Sequence, residues 1–557
     1  MSEADGPYIL GFSDSLHDRS ACLFHGATPI VAIEEERLSR VKHGLALYQE
    51  SRTNPAAFAQ MNLESTPAAD NEARMRVAID YCLSAAGIAP DQVAIMAGNS
   101  LHTSFPFRDR AIYINHHLAH ACSTFFTSGF EDAAILVCDG YGDLVAPDVY
   151  ETVLLGHGRD RRIQTMQTTS GRVSTYYDMQ NSLGVFYRIG TLLAGFGIFD
   201  EGKAMGLSAY GRPVYRGAVC RHIAYGEDSI RIDNGSLWQS LSAQFAGVSE
   251  FEVRADIAAT FQDVLNEMML HYAISAHRLS GSKNLCIAGG VGINCVANAF
   301  VLEHSPFQQV FVCPMPGDNG ISFGAASFAS HCLLGLPRTP QLLTASFGRR
   351  YDANEIRAAL TAGATGCDAI ECSEEELIDR VAGLIAEDEI VMWFQGGSEI
   401  GPRALGNRSI LANPRTVERK DYINSHVKFR EAFRPLAPIV LEEDASEFFD
   451  LRCPSPFMLF AARAKPPALN NAPGVVHADG TARVQTISRH CNGRLHALLS
   501  RIKSLTDLPI VLNTSLNEKD RPIVETPADA LAAFLQSPVN YLVMDHFLVT
   551  RKIRERS

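Results

Sequence analysis

Asn284-Leu-Cys-Ile-Ala288 is a short apolar run that meets Gly289-Gly290-Val-Gly-Ile-Asn294. A run of this length predicts a buried strand, and the apolar, alanine-containing segment after Asn294 predicts a helix. A glycine-rich turn between strand and helix offers backbone N–H groups and a helix N-terminus to phosphate. The same turn serves equally as a tight corner with no ligand. The arrangement recurs: Tyr8-Ile-Leu10 meets Gly11, Ala133–Cys138 ends on Asp139 and Gly140, and Phe311-Val-Cys313 leads into a Pro/Gly loop carrying Asp318. Strands that end on Gly or Asp and alternate with helices predict an α/β fold with polar groups at the strand mouths, where α/β proteins bind ligands.

Around Gly11 the pattern predicts a strand ending at Leu10, a polar turn over Phe12–Asp18, a second strand at Ser20–Phe24, and a hairpin to a third at Pro29–Glu34. The run from Glu34 to His43 is dense in charge and reads as a solvated helix start. Residues 45–75 are polar and turn-rich. Leu336–Phe347 holds two prolines and little periodicity, which predicts a linker there. Beyond it, Asn354–Ala362 and Glu374–Ala386 read as helices broken by Gly363 and Gly366, followed by a strand at Ile390–Phe394.

The length of 557 residues exceeds what one hydrophobic core organises, so two or more domains are expected. The formal charge of -13 argues against general nucleic-acid binding. The polar, acidic N-terminus is unlike a signal peptide, and no apolar run approaches the roughly 20 residues that span a bilayer. Thirteen scattered cysteines, never spaced C-x-x-C, predict reduced thiols in the cytoplasm rather than disulfides or structural zinc.

One segment opposes this acidic background. Gly401–Arg434 carries eight Lys/Arg against three acids, with Arg403 and Arg408 interleaved with Gly401, Gly406 and Asn407. Guanidinium forks suit phosphate and carboxylate oxygens, and a lysine adds a compact point charge. The segment reads either as an oxyanion pocket or as a solvated basic face. In the N-terminal half, His116 and His120 are four apart and share one face of a helix. Position 117 is His, so this is not the zinc-protease H-E-x-x-H. Two imidazoles with the strand-end carboxylates Asp139 and Asp318 suit a divalent ion such as iron, manganese or zinc. An isolated pair of packed histidines is the alternative.

GPRALGNRS (401–409), followed by HVKFREAFRPLAP (426–438), is similar to the O-carbamoyltransferases of nodulation-factor and antibiotic tailoring. That family includes enzymes acting on aminoglycosides, cephems and ansamycins. Matching motifs run from Gly11 to Ser515, nearly the whole chain. The resemblance implies an actin-like (ASKHA-type) N-terminal domain over 1–340 and a YrdC-like α/β C-terminal domain over 341–557. It places His17 and Lys42 at the acceptor site. It gives His116, His120, Asp139 and Asp318 as ligands of a divalent transition metal, Fe(II) in the family's usual assignment. The turn at Gly289, Gly290 and Asn294 would contact nucleotide. Lys428, Arg434, Arg483 and Ser515 resemble residues that hold carbamoyl phosphate and the ATP phosphates, with Arg403 and Arg408 as a phosphate-side clamp. Asn513-Thr514-Ser515 matches the family's NTS, and His477–Gln485 its HxDGTARVQ. One departure is Gly202, where the family usually has an aromatic residue between Glu201 and Lys203.

The implied activity is ATP-dependent transfer of the carbamoyl group of carbamoyl phosphate, through carbamoyl-adenylate, to a hydroxyl of a natural product, as in antibiotic tailoring. ATP with Mg2+, carbamoyl phosphate and a hydroxylated acceptor are the expected small molecules. A homodimer is expected, with neither nucleic acid nor membrane as partner. Two other readings stay open: an actin-like ATP hydrolase or kinase, and a non-catalytic nucleotide-binding regulator.

Overall fold

A computed structural model describes residues 6–15, 17–44, 68–100, 107, 109–173 and 178–552. The chain divides into two compact units, Met1–Leu342 and Leu343–Ser557.

The first unit repeats one topology. Strands β1 (Tyr8–Asp14), β2 (Arg19–His25), β3 (Thr28–Glu34), β4 (Val93–Ser100) and β5 (Ala111–Tyr113) form a sheet of order β3-β2-β1-β4-β5. The β1-β2 and β2-β3 pairs are antiparallel, and β1-β4 and β4-β5 are parallel. In the second sheet, β6 (Asp132–Cys138), β7 (Leu144–Ala146), β8 (Val149–Arg159) and β9 (Arg162–Arg172) precede a small ribbon of β10 (Ile223–Tyr225) and β11 (Ile230–Ile232). Strands β12 (Asn284–Ala288) and β13 (Gln309–Val312) complete the sheet. The β6-β8 and β8-β9 pairs are antiparallel while β6-β12 and β12-β13 are parallel, so the first sheet's pattern of order and sense returns. This internal duplication is that of an actin-like α/β fold.

Two helices fill the space between the sheets. Ile321–Ser327 lies on β1 and β4, His116–Phe125 lies on β12 and β6, and the two pack on each other. The approach is close because glycines remove side chains there. A Cβ on Gly11 would sit 1.9 Å from the Ser322 carbonyl oxygen, and one on Gly324 the same distance from that of Ala119. On the outer faces lie the helices Ala68–Ala86 and Phe251–Ser280.

Three sequence expectations need correction here. Strand β1 does not end at Leu10 but runs through the predicted polar turn to Asp14. Its polar end is stabilised across the ladder, where Asp14 faces Arg19 and their charges lie 3.0 Å apart. The Glu34–His43 run is not a solvated helix start: helix Glu35–Ser39 buries Glu35 and Arg37, and Arg37 pairs with buried Glu34 at 2.6 Å. Between the predicted helices of the second unit, Cys367–Glu371 forms an edge strand in place of a simple break. Of the turn-rich stretch 45–75, positions 45–67 lie outside the described residues.

The second unit is built on an eight-stranded mixed sheet. Its strands run in the order Cys367–Glu371, Phe547–Arg551, Tyr541–Met544, Val391–Phe394, Arg408–Ala412, Ile510–Ser515, Ala437–Leu441 and Gln485–Ile487. Trp393 is wholly buried in it, and its indole N–H donates to the Gly406 carbonyl at 3.0 Å. A buried indole with a satisfied N–H anchors the glycine-containing basic loop to the core.

Candidate functional site

In the first unit, Nε2 of His120 lies 3.0 Å from Asp139 Oδ2 and 3.4 Å from Asp318 Oδ1. Nε2 of His116 lies 3.4 and 3.5 Å from the same two oxygens. The four side chains are buried, and one donor atom from each lies within 4.8 Å of all the others. The helix starting at His116 places the two imidazoles one turn apart. Asn115 caps that helix, its Oδ1 accepting the Leu118 N–H at 2.9 Å. Asp139 follows the last residue of β6, and Asp318 opens a turn after β13. Asp139 Oδ1 accepts the Gly140 and Gly290 N–H groups at 2.7 and 3.2 Å, which leaves Oδ2 toward the histidines.

The donor set fits a divalent metal ion: two buried carboxylates carry two negative charges, and two imidazoles add neutral nitrogen donors. Without an ion, protons take its place electrostatically. Burial opposes charge on His116, but Asp318 and Asp139 outweigh it and raise its pKa to about 10. Burial and Asp318 push Asp139 up, yet the two histidines hold it below the usual carboxylate range. His117 stands apart, with Nδ1 3.7 Å from Glu151 Oε2 and a pKa lowered by burial to about 3.

His17 borders this cluster. Its Nε2 lies 3.6 Å from Asp318 Oδ2, its Nδ1 3.2 Å from Asp18 Oδ2, and its ring packs on Phe199 at 4.8 Å. His43 also faces Asp18, at 3.9 Å, and stacks on Phe199. Lys42 opens the short turn Lys42–Gly44 and is half-buried. Of the predicted nucleotide contacts, Gly289 donates its N–H to the Pro316 carbonyl at 2.8 Å and Gly290 donates to Asp139. Asn294 caps the next helix through Ala297 N–H and pairs with Gln262.

In the second unit the basic segment separates into parts. Lys428 is buried, and its ammonium donates to the Ser515 and Asn517 carbonyls at 2.8 and 2.9 Å and to Asn517 Oδ1 at 2.5 Å. Lys428 and Ser515 are thus brought together. Arg430, which the sequence reading had not singled out, donates from Nε to Asn424 Oδ1 at 2.8 Å, and Asn424 in turn donates to the Arg434 carbonyl at 2.9 Å. Burial drives the Arg430 pKa down, and repulsion from Arg434 and Arg483 drives it further. The charges of Arg434 and Arg483 thus bear on Arg430, with Glu431 opposing them, and a cluster of this sign suits an anion. Arg403 sits half-buried in the turn before Arg408. Glu399, also missed, shapes that turn, its Oε1 accepting the N–H groups of Leu405 and Asn407, each at 2.7 Å. Asn513 donates to the Ala404 carbonyl at 2.9 Å, and Thr514 is buried beside it.

Arg408, expected on the phosphate side, lies in the core. It is 0% exposed within its strand. Its guanidinium lies 3.6 Å from the Phe394 ring and donates to the carbonyls of Gln395, Gly396, Asn407 and Glu525. A guanidinium so engaged supports the fold.

Residues 90–327 match the family model for the carbamoyltransferase N-terminus, and residues 382–551 match that for the carbamoyltransferase C-terminus. Nodulation protein NolNO of Sinorhizobium fredii is 33% identical over 96% of this chain and 79% of its own length. Nodulation protein NolO of Bradyrhizobium diazoefficiens is 36% identical over 79% of each chain. Among solved structures, full-length HypF overlaps 60% of this chain and 56% of its own at 14% identity and a TM-score of 0.38. Among the described residues, no helix is long and apolar enough to cross a membrane.

Proposed function

Because the chain belongs to the carbamoyltransferase family and is a carbamoyltransferase, we propose that it moves the carbamoyl group of carbamoyl phosphate, by way of carbamoyl-adenylate, to a hydroxyl of a small natural product. The observation that supports this reading is buried Lys428, whose ammonium is held at Ser515 and Asn517 on the unit that matches the carbamoyltransferase C-terminus.

Carbamate is a poor carbamoyl donor because oxide is a poor leaving group. Carbamoyl phosphate first loses its phosphoryl group to water, giving carbamate and phosphate. The carbamate oxygen then attacks the α-phosphorus of ATP and pyrophosphate leaves. The mixed anhydride formed has AMP as its leaving group. This step crowds anionic oxygens together, and fixed guanidinium and ammonium groups stabilise the charge that develops. Arg403, Arg434, Lys428, Arg483 and Ser515 are the groups we assign to it, with Mg2+ accompanying ATP. In the second reaction the acceptor hydroxyl oxygen bonds to the carbamoyl carbon, AMP departs, and the hydroxyl proton is lost.

We assign the second reaction to the first unit. His17 and Lys42 would orient the acceptor, with Asp18 holding His17. His116, His120, Asp139 and Asp318 would hold a divalent ion, iron(II) in our reading, which when bound supplies Lewis acidity.

The test is incubation with ATP, carbamoyl phosphate and a panel of hydroxylated antibiotics and sugars. The acceptor should gain the mass of one carbamoyl group, with AMP and pyrophosphate as co-products. ADP as the sole nucleotide product would replace the adenylate route with phosphoryl transfer.

A further inference from the structure

His116 is held by a closed circuit of hydrogen bonds that includes no other metal-ligand candidate. Its Nδ1 lies 3.3 Å from Oδ1 of Asn99, a residue 1% exposed on β4. Asn99 Nδ2 lies 2.8 Å from the Ile114 carbonyl oxygen and 3.2 Å from the Tyr113 hydroxyl. Tyr113 donates to Asp143 Oδ1, and Asp143 Oδ2 accepts the backbone N–H of His116 at 2.7 Å.

The directions in this circuit are determined. A carbonyl oxygen only accepts, so the Asn99 NH2 must face Ile114 and its Oδ1 must face His116. An acceptor at that place requires a proton on His116 Nδ1. In the neutral ring the lone pair is then on Nε2, the atom that faces Asp139 and Asp318. His120 lacks such a partner: its Nδ1 is buried without a hydrogen bond.

We propose that Asn99 is a positioning residue that holds His116 in the Nδ1–H tautomer and so presets Nε2 for a divalent metal ion. The proposal rests on the metal reading above. Asn99 acts through His116, which ties a strand of the first sheet to a ligand on the helix His116–Phe125. Partners of this kind fix ring orientation, and their loss typically weakens metal binding by about 10- to 100-fold.

The experiment is cobalt(II) titration of the metal-stripped full chain against a competing chelator, with the visible cobalt absorption band and the thermal midpoint recorded for each variant. Asn99→Ala should bind cobalt about 10- to 100-fold more weakly. Asn99→Asp keeps an acceptor toward Nδ1 but loses the donor to Ile114. It should recover most of the affinity and the native band while its midpoint falls as far as that of Asn99→Ala. Tyr113→Phe, at a half-exposed position, opens the circuit without emptying the core, and should weaken cobalt binding with little change in midpoint. Equal losses of affinity in Asn99→Ala and Asn99→Asp would mean fold support alone and overturn the proposal. So would unchanged affinity in Asn99→Ala, or, if that variant does not fold, in Tyr113→Phe. His120→Ala separates the two readings: if it binds as tightly as the unmodified chain, or if the unmodified chain shows no saturable binding, the metal centre itself fails and Asn99's role fails with it.

Discussion

The backbone N–H of Gly290 donates to Oδ1 of Asp139 at 3.2 Å. The glycine turn thereby supports a carboxylate of the histidine–aspartate cluster. A Cβ at position 290 would lie 3.0 Å from that same oxygen, so the acid must shift to admit it. Gly290→Ala should weaken divalent metal binding about 10-fold, the scale typical of disturbed ligand support, with the helical circular dichroism unchanged. Metal affinity equal to that of the unmodified chain would show that Asp139 is held without the turn.

Arg408 should behave as part of the fold. Arg408→Met leaves several carbonyls without their donor and removes the charge over Phe394, at a cost of about 3 kcal/mol or more. Denaturant unfolding should show that loss, while the KM for ATP of the folded variant stays within about threefold of the original. A large rise in KM at unchanged stability would restore the clamp reading.

His477 sets a pH dependence. Burial lowers its pKa from 6.5 to about 4, with Asp479 opposing the shift and Arg483 and Lys420 adding to it. The unfolded chain therefore takes up this proton first as the pH falls. The stability tied to the neutral ring is full above 6.5 and is lost progressively toward 4. Between pH 7 and pH 5 the loss should be about 2 kcal/mol. His477→Gln should remove that increment from the denaturation profile. Parallel profiles for the two proteins would exclude His477 as the source.

How much of this was visible in the sequence depended on how local each feature is. The spacing of His116 and His120 needs only helical periodicity, and Asp139 only the end of an apolar run. Their convergence with Asp318 follows from parallel pairing of β6, β12 and β13. Asn99 was not legible, because its role arises where β4 meets the start of a helix 17 residues later. The burial of Arg408 was not legible, because Gly/Arg interleaving does not say which arginine faces inward; its place in a strand opposite Phe394 decides that. The Glu34–Arg37 pair reads as solvent-exposed in any charge pattern, since burial of opposite charges is a tertiary event. Asn517 follows the NTS motif by two residues and binds Lys428 only because the chain turns there.

The sharpest prediction separates anhydride formation from transfer. The Lys428 ammonium donates to the carbonyls of Ser515 and Asn517 and to Asn517 Oδ1, so Lys428→Ala removes a charge and loosens the strand end carrying Ser515. Truncating one buried charge-assisted contact costs about 2–5 kcal/mol, roughly a 30-fold or greater loss of rate. Pyrophosphate release by Lys428→Ala should fall by at least that factor. If Lys428 serves only the first reaction, the variant should still carbamoylate an acceptor when carbamoyl-adenylate is supplied from outside. His120→Ala should show the reverse, releasing pyrophosphate with carbamoyl phosphate and ATP but modifying no acceptor. His17→Ala should match His120→Ala in activity while keeping its metal, because His17 borders the cluster at Asp318, 3.6 Å away, and is not one of its four donors. Metal content and circular dichroism, measured on each variant, exclude loss of the fold as the cause. A folded, metal-loaded Lys428→Ala that cannot use external carbamoyl-adenylate would place Lys428 in the transfer reaction as well, and the assignment of one reaction to each unit would be wrong.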